Sequence, residues 1–105
     1  MFGLSEDTIQ KIISVFSHHP SIDDVIIYGS RAKGNYRNGS DIDLTVKTKE
    51  MSDREQFLIA EELDELNLPY TIDLSRYSQI ENQNLIDHIN RVGKIFYSAH
   101  SKLKV

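Results

Sequence analysis

A chain of 105 residues, 39% hydrophobic and 27% charged, has the make-up of an ordinary soluble globular protein with room for one domain and one modest core. The net charge of −4 argues against a broad electrostatic grip on nucleic acid and leaves only a local basic cluster for binding phosphates. There is no cysteine, so disulfides and thiolate metal sites are excluded; no apolar run reaches membrane-spanning length, and MFGLSEDTIQ lacks the basic and apolar regions of a signal peptide, so a cytoplasmic protein with no membrane contact is expected.

Ile9, Ile12, Ile13 and Phe16 fall at i, i+3, i+4 and i+7 and predict an amphipathic helix that ends at His18-His19-Pro20. Val25 to Tyr28 is a continuous apolar run before a glycine, as in a strand buried on both faces. Ser30 to Lys33 reads as a short helix stopped by Gly34, and Asn35 to Gly39 as a polar turn. Asp41 to Lys47 alternates strictly and predicts a second strand. Ser52-Asp53-Arg54-Glu55 has the form of a capping box; the helix after it carries Ile59, Leu63 and Leu66 on one face and stops before Pro69. Tyr70 to Ser75 alternates as a third strand. Leu85, Ile89 and Val92 mark a last helix, broken by Gly93, and Lys94 to Tyr97 a last strand. The order predicts a single α/β (α+β) domain over residues 1–105, a small mixed sheet with helices packed on it.

Two strands carry carboxylates, although aspartate is disfavoured there. Side chains alternate along a strand, so Asp41, Asp43 and Thr45 share one face, while Ile42, Leu44 and Val46 face the core. The two aspartates would stand roughly 6.5–7 Å apart along the strand. Their like charges repel unless a cation lies between them, and oxygen-only ligands suit a hard ion such as Mg²⁺. The tripeptide Ile-Asp-Leu recurs at residues 72–74, placing Asp73 with Thr71 and Ser75 on one strand face. If the strands are neighbours, three carboxylates converge, enough for two metal ions in an in-line phosphoryl displacement. The plainer account is a wet strand face with aspartate kept for solubility; it suits Asp73 alone better than the Asp41–Asp43 pair.

The stretch YGSRAKG, residues 28–34, supplies a complement: a strand ending in glycine, then a short helix. Gly29 allows close backbone approach to a phosphate, the Ser30 hydroxyl and helix amides offer donors, and Arg31 and Lys33 add positive charge. Alone, this is a strand-to-helix turn with a serine N-cap. The spacing carries more: Gly29-Ser30, ten residues, then Asp41-x-Asp43.

On these residues, with Ser40-Asp41-Ile42-Asp43-Leu44 and Ile72-Asp73-Leu74, the chain resembles the polymerase-beta-type nucleotidyltransferases, most closely their minimal single-domain branch, the MNT proteins. The resemblance covers nearly the whole chain in element order. It implies that Asp41, Asp43 and Asp73 hold the divalent ions, two Mg²⁺ or Mn²⁺, and that Asp73 helps deprotonate the acceptor hydroxyl. It implies that Gly29 and Ser30 bind the triphosphate of ATP or another NTP. Where many relatives carry arginine this chain has Lys33, which keeps the charge but not the bidentate fork. MNT proteins typically pair with a HEPN-domain toxin, a ribonuclease, so the resemblance also implies a hetero-oligomer, an antitoxin role and transfer of AMP onto a tyrosine of the partner. Residues 76–105 offer only a helix and a strand, which leaves the acceptor side to a separate chain.

Other readings compete. The same cleft would serve a non-catalytic nucleotide-binding or toxin-masking module; intact carboxylates weigh against a decayed enzyme. A small-molecule nucleotidyltransferase usually needs a second domain. A purely structural acidic face is the weakest account of the combined spacing. Tyr36, Tyr70 and Tyr77 read as packing residues, His18-His19 as a helix C-terminal cap in preference to a metal site, and His88 and His100 have no ligand spacing around them.

Overall fold

A computed structural model describes residues 1–99. His100 and the end of the expected 1–105 domain lie outside the described residues. The first helix, α1, spans Glu6–Ser17. Ser5 caps it by accepting from the Thr8 amide, and Glu6 and Asp7 in its first turn favour the helix dipole. Ile12 and Phe16 from the expected stripe are fully buried, joined by Val15, while Ile9 and Ile13 pack at the margin.

Strand β1 is Ile22–Tyr28, α2 is Ser30–Lys33, β2 is Ile42–Thr48, α3 is Asp53–Asp64, β3 is Ile72–Arg76, α4 is Gln83–Val92 and β4 is Lys94–Ser98. A single 3₁₀ turn at Tyr77–Gln79, not anticipated from the sequence, links β3 to α4. The sheet order is β3-β2-β1-β4. β1 runs antiparallel to β2 and β4, whereas β2 and β3 are parallel, so the mixed sheet is as expected. A parallel neighbour needs a crossover, and α3 provides it.

The ladder register sorts side chains between two faces. Val25 lies opposite Val46 and Ile27 opposite Leu44, while Ile42 and Leu44 lie opposite Ile72 and Leu74. These join Ile12, Val15 and Phe16 of α1 and Ile59 and Leu63 of α3 in one core. Each fully buried aliphatic side chain there stabilises the fold by roughly 1.5–3 kcal/mol. On the opposite face Ile26 lies beside Thr45, Tyr28 beside Asp43, and Asp43 beside Asp73. Helix α4 covers part of this face: His88 meets the Tyr28 ring edge-on at 6.2 Å, and Gly93 sits against Ile26.

Two local expectations change. Ser52 accepts from the Glu55 amide, but Glu55 does not complete a capping box; its carboxylate reaches His19 and Ser21. His18 is the C-cap of α1, as expected, and the His19 amide bonds to the Phe16 carbonyl, but the His19 side chain bridges to α3. Among the described residues, no helix is long and apolar enough to cross a membrane.

Candidate active site

The carboxylate row grows out of the sheet register. Tyr28, Asp43 and Asp73 are cross-strand partners on three adjacent strands. Neighbouring strands lie about 4.8 Å apart, so the two aspartates stand in each other's field. Asp43 is half-buried and Asp73 exposed. Asp41 falls one residue before β2 and is exposed, so it approaches the row from a loop and not from the strand face expected for it.

Electrostatics follow from this placement. Burial raises the pKa of Asp43 above the ordinary carboxylate value, and the charges of Asp73 and Asp41 push it further. Tyr28 is raised as well, first by burial, then by the charges of Asp73 and Asp43, against a hydrogen bond with Ser75 that lowers it. Beyond the aspartates the face is lined by hydroxyls: Ser75 Oγ donates to Thr45 Oγ1 at 3.0 Å, which satisfies the fully buried Thr45. Lys47 Nζ stands 4.8 Å from the Tyr77 ring centroid, and the Tyr77 hydroxyl donates to Asn90 Oδ1 of α4 at 3.0 Å.

Gly29 joins this row to the loop that follows β1. Its φ of +74° is a left-handed conformation that favours glycine, and a Cβ there would lie 2.5 Å from Asp43 Oδ2. Glycine thus lets the carboxylate press against the turn. Gly29, not Ser30, occupies the N-cap position of α2; Ser30 is the first helical residue and is half-buried. Lys33 is exposed at the end of α2.

Arg31 departs from the phosphate-binding role expected for it. It is only 3% exposed. Its Nε and Nη2 both donate to the Ser40 carbonyl, at 3.1 and 2.9 Å, and Nη1 donates to the Phe2 carbonyl at 2.9 Å. The guanidinium also lies over the rings of Tyr36 and Tyr70, at 5.3 and 4.9 Å from their centroids. With its fork engaged in this way, Arg31 ties the N-terminal segment and the loop before Asp41 to α2. Tyr36 and Tyr70 are packing residues around it.

The donor set fits a hard divalent cation in kind: oxygen ligands only, with mutual repulsion on Asp43 that a positive ion would relieve. Among the described residues, however, no three His, Cys, Asp or Glu side chains stand close enough together to hold a metal ion. The structure places Asp43 and Asp73 side by side and sets Asp41 in the loop just before β2, without closing them into a cluster.

Sequence reasoning missed His88. Its Nε2 accepts a hydrogen bond from the Gly29 amide at 3.2 Å. The signal was its position among Leu85, Ile89 and Val92, where residues 85, 88, 89 and 92 fall at i, i+3, i+4 and i+7. A lone polar residue in that stripe faces the sheet.

Comparison with known proteins agrees with this fold. No curated protein matches the chain. Among solved structures, a toxin–antitoxin with AMP-PNP shares 20% identity at a TM-score of 0.69, over 94% of this chain and 77% of that one. A tri-AMPylated Shewanella oneidensis HEPN toxin in complex with MNT antitoxin shares 16% identity at a TM-score of 0.67, over 96% of this chain and 78% of that one. The toxin–antitoxin MntA-HepT shares 17% identity at a TM-score of 0.67, over 93% of this chain and 76% of that one. At these identities the likeness is one of fold. The family model "Polymerase beta, Nucleotidyltransferase" matches residues 10–102, and this chain belongs to that nucleotidyltransferase family.

Proposed function

We propose that this protein transfers a nucleoside monophosphate, AMP from ATP, onto a hydroxyl, and that the acceptor is a tyrosine of a partner HEPN toxin that it thereby neutralises. The observation that carries the reading is Asp43, pressed against Gly29 and paired across the ladder with Asp73. A nucleotidyltransferase needs a carboxylate row beside a glycine turn, and the nearness of Asp43 and Asp73 to Gly29 at this sheet end supports the reading. The solved relatives support the partner and the nucleotide, since one holds AMP-PNP and another is a tri-AMPylated HEPN toxin with its MNT antitoxin.

In this reading Gly29 and Ser30 bind the triphosphate and Lys33 adds charge at its edge. Asp41, Asp43 and Asp73 would hold Mg²⁺, two ions or their Mn²⁺ equivalents. When bound, such ions neutralise the triphosphate and make the acceptor hydroxyl easier to ionise. A carboxylate oxygen of Asp73, exposed at the edge of the row, takes the hydroxyl proton. The acceptor oxygen forms its bond to the α-phosphorus as the bond to the pyrophosphate oxygen breaks, and pyrophosphate leaves. The chain's own contribution is chiefly to position these groups. The reaction takes place in the cytoplasm, as a hetero-oligomer with the toxin.

The test is label transfer from α-³²P-ATP with Mg²⁺, using the protein and its neighbouring-gene partner, with Asp41→Asn/Asp43→Asn as control. Label on the partner that disappears in the control is the expected result. A stable complex with no label would transfer the antitoxin role to masking by contact.

A further inference from the structure

We infer that His88 is a positioning residue of the nucleotide site, acting through the Gly29 amide; the inference rests on the nucleotidyl-transfer reading above. Gly29 is the residue on which the site turns, and it is also the least constrained by its own chemistry. Glycine populates left-handed and extended conformations with little penalty, so something must select the one at φ +74° and ψ −156°. Two contacts do so. On the Cα side, the turn lies against Asp43 Oδ2, at a separation that leaves no room for a Cβ. On the amide side, the N–H donates to His88 Nε2 at 3.2 Å. The amide bond orients the peptide between Tyr28 and Gly29, and the peptide that leads into Ser30 is held by the Gly29 carbonyl, which accepts from the Lys33 amide at 3.1 Å.

His88 is itself well placed to hold this position. It is half-buried, on the sheet-facing side of α4, next to the buried Ile89. Its ring meets Tyr28 edge-on, 6.2 Å between centroids, and Tyr28 is the ladder partner of Asp43. The imidazole therefore touches the residue before Gly29 with its ring and Gly29 itself with its nitrogen. The Asn82 cap closes the first turn of α4 locally, while Tyr77 donates to Asn90 and Gly93 lies against Ile26, so the C-terminal half of the helix that carries His88 is tied to the sheet and the segment after β3. Through His88, a helix 59 residues away in sequence sets the geometry of the phosphate turn and, by contact, of Asp43.

A hydrogen bond and ring packing make opposite demands on substitution. Gln at position 88 keeps an acceptor at similar reach and loses the ring; Phe keeps the ring and loses the acceptor. With α-³²P-ATP, Mg²⁺ and the partner toxin, His88→Gln should keep most of the wild-type rate. His88→Phe should lower kcat about tenfold, with a smaller change in KM for ATP, because the loss is one of alignment. Independently of turnover, the Gly29 amide should be protected from hydrogen exchange in the wild type and in His88→Gln, and should exchange faster in His88→Phe. The reverse order of the two variants in kcat would show that ring packing, not the hydrogen bond, is what the site uses, and equal Gly29 exchange in wild type and His88→Phe would overturn the inference outright. A wild-type protein with a protected Gly29 amide and no transfer would sink the enzymatic reading while leaving the contact between His88 and the turn established.

Discussion

The molecule gathers carboxylates in two places and treats them differently. Between α1 and α3, Glu55 and Glu62 flank His19: Nδ1 lies 3.1 Å from Glu55 Oε2 and Nε2 lies 3.0 Å from Glu62 Oε1, while Ser21 Oγ donates to Glu55 at 3.0 Å. On the other face of the sheet, Asp43 and Asp73 stand side by side with Asp41 at the strand end, and Asp43 is pushed up by burial and by both neighbours. The first group sets an imidazole between its two carboxylates, and a proton on each ring nitrogen lets it donate to both. The second keeps its repulsion. A cluster that completes itself needs nothing from outside and serves the fold; a carboxylate row that is left acidic and beside a glycine turn is suited to a positively charged ligand.

The sharpest way to break this comparison is Asp43→Asn. If the row serves chemistry, transfer should fall by at least about a hundredfold, the order seen when a group that stabilises charge in the transition state is removed. Thermal melting should stay at or above wild type, because the substitution removes a charge that its neighbours already disfavour. Loss of activity together with a lower melting temperature would mean that Asp43 is structural.

Gly29→Ala tests the contact that links the row to the turn. The added methyl meets Asp43 Oδ2 at 2.5 Å, and φ +74° is strained for alanine, so either the carboxylate or the turn must shift. The expected cost is about 1–2 kcal/mol of stability with a larger proportional loss of transfer than of folded protein. Equal activity per folded molecule in a chemical-denaturation and label-transfer comparison would separate Gly29 from the site.

How far these two regions were legible in the sequence differs for a physical reason. The carboxylate row was readable because its logic is local: alternation places Asp43 with Thr45 and Asp73 with Ser75, and the doubled Ile-Asp-Leu hints at paired strands. The ladder indeed sets Asp43 beside Asp73 and Thr45 beside Ser75. Alternation alone extends the strand to Asp41, because it says nothing about where ladder bonding starts; β2 begins at Ile42, whose amide donates to the Thr71 carbonyl. Adjacency to Ser30 points Arg31 at a phosphate, whereas its side chain turns to Ser40 and Phe2. The His19 cluster and the His88 bond join residues 36 to 59 apart, and no local pattern encodes such pairs. In the capping-box motif, the cap from Ser52 is local and is present; the return bond is replaced by the distant pull of His19 on Glu55.

A divalent cation sharpens the comparison further. If the row binds Mg²⁺ in the folded state alone, added Mg²⁺ should raise wild-type stability, by about 2.7 kcal/mol at a hundred times the dissociation constant. Asp41→Asn/Asp43→Asn should lose the response, while His19→Gln should keep it. A melting series in which both variants respond alike would show that the ion acts on general surface charge.

The smallest expected effect concerns the self-completed cluster and has a defined sign. Burial alone would lower the pKa of His19, but hydrogen bonds and charge from Glu62 and Glu55 outweigh it and raise the value above the ordinary 6.5. A group raised on folding binds its proton more tightly in the native state, so its stabilisation is fully present below the unfolded value and is lost as pH rises through the folded one. The difference in melting temperature between wild type and His19→Gln should therefore be largest near pH 6 and shrink as the pH is raised through and above the neutral range. Transfer measured per folded molecule should be the same in both proteins, since His19 lies on the α1–α3 side of the sheet, away from the row. A melting difference that grows with pH would mean that the imidazole is held neutral between the two glutamates, and the contrast between the satisfied and the unsatisfied cluster would fail at its satisfied end.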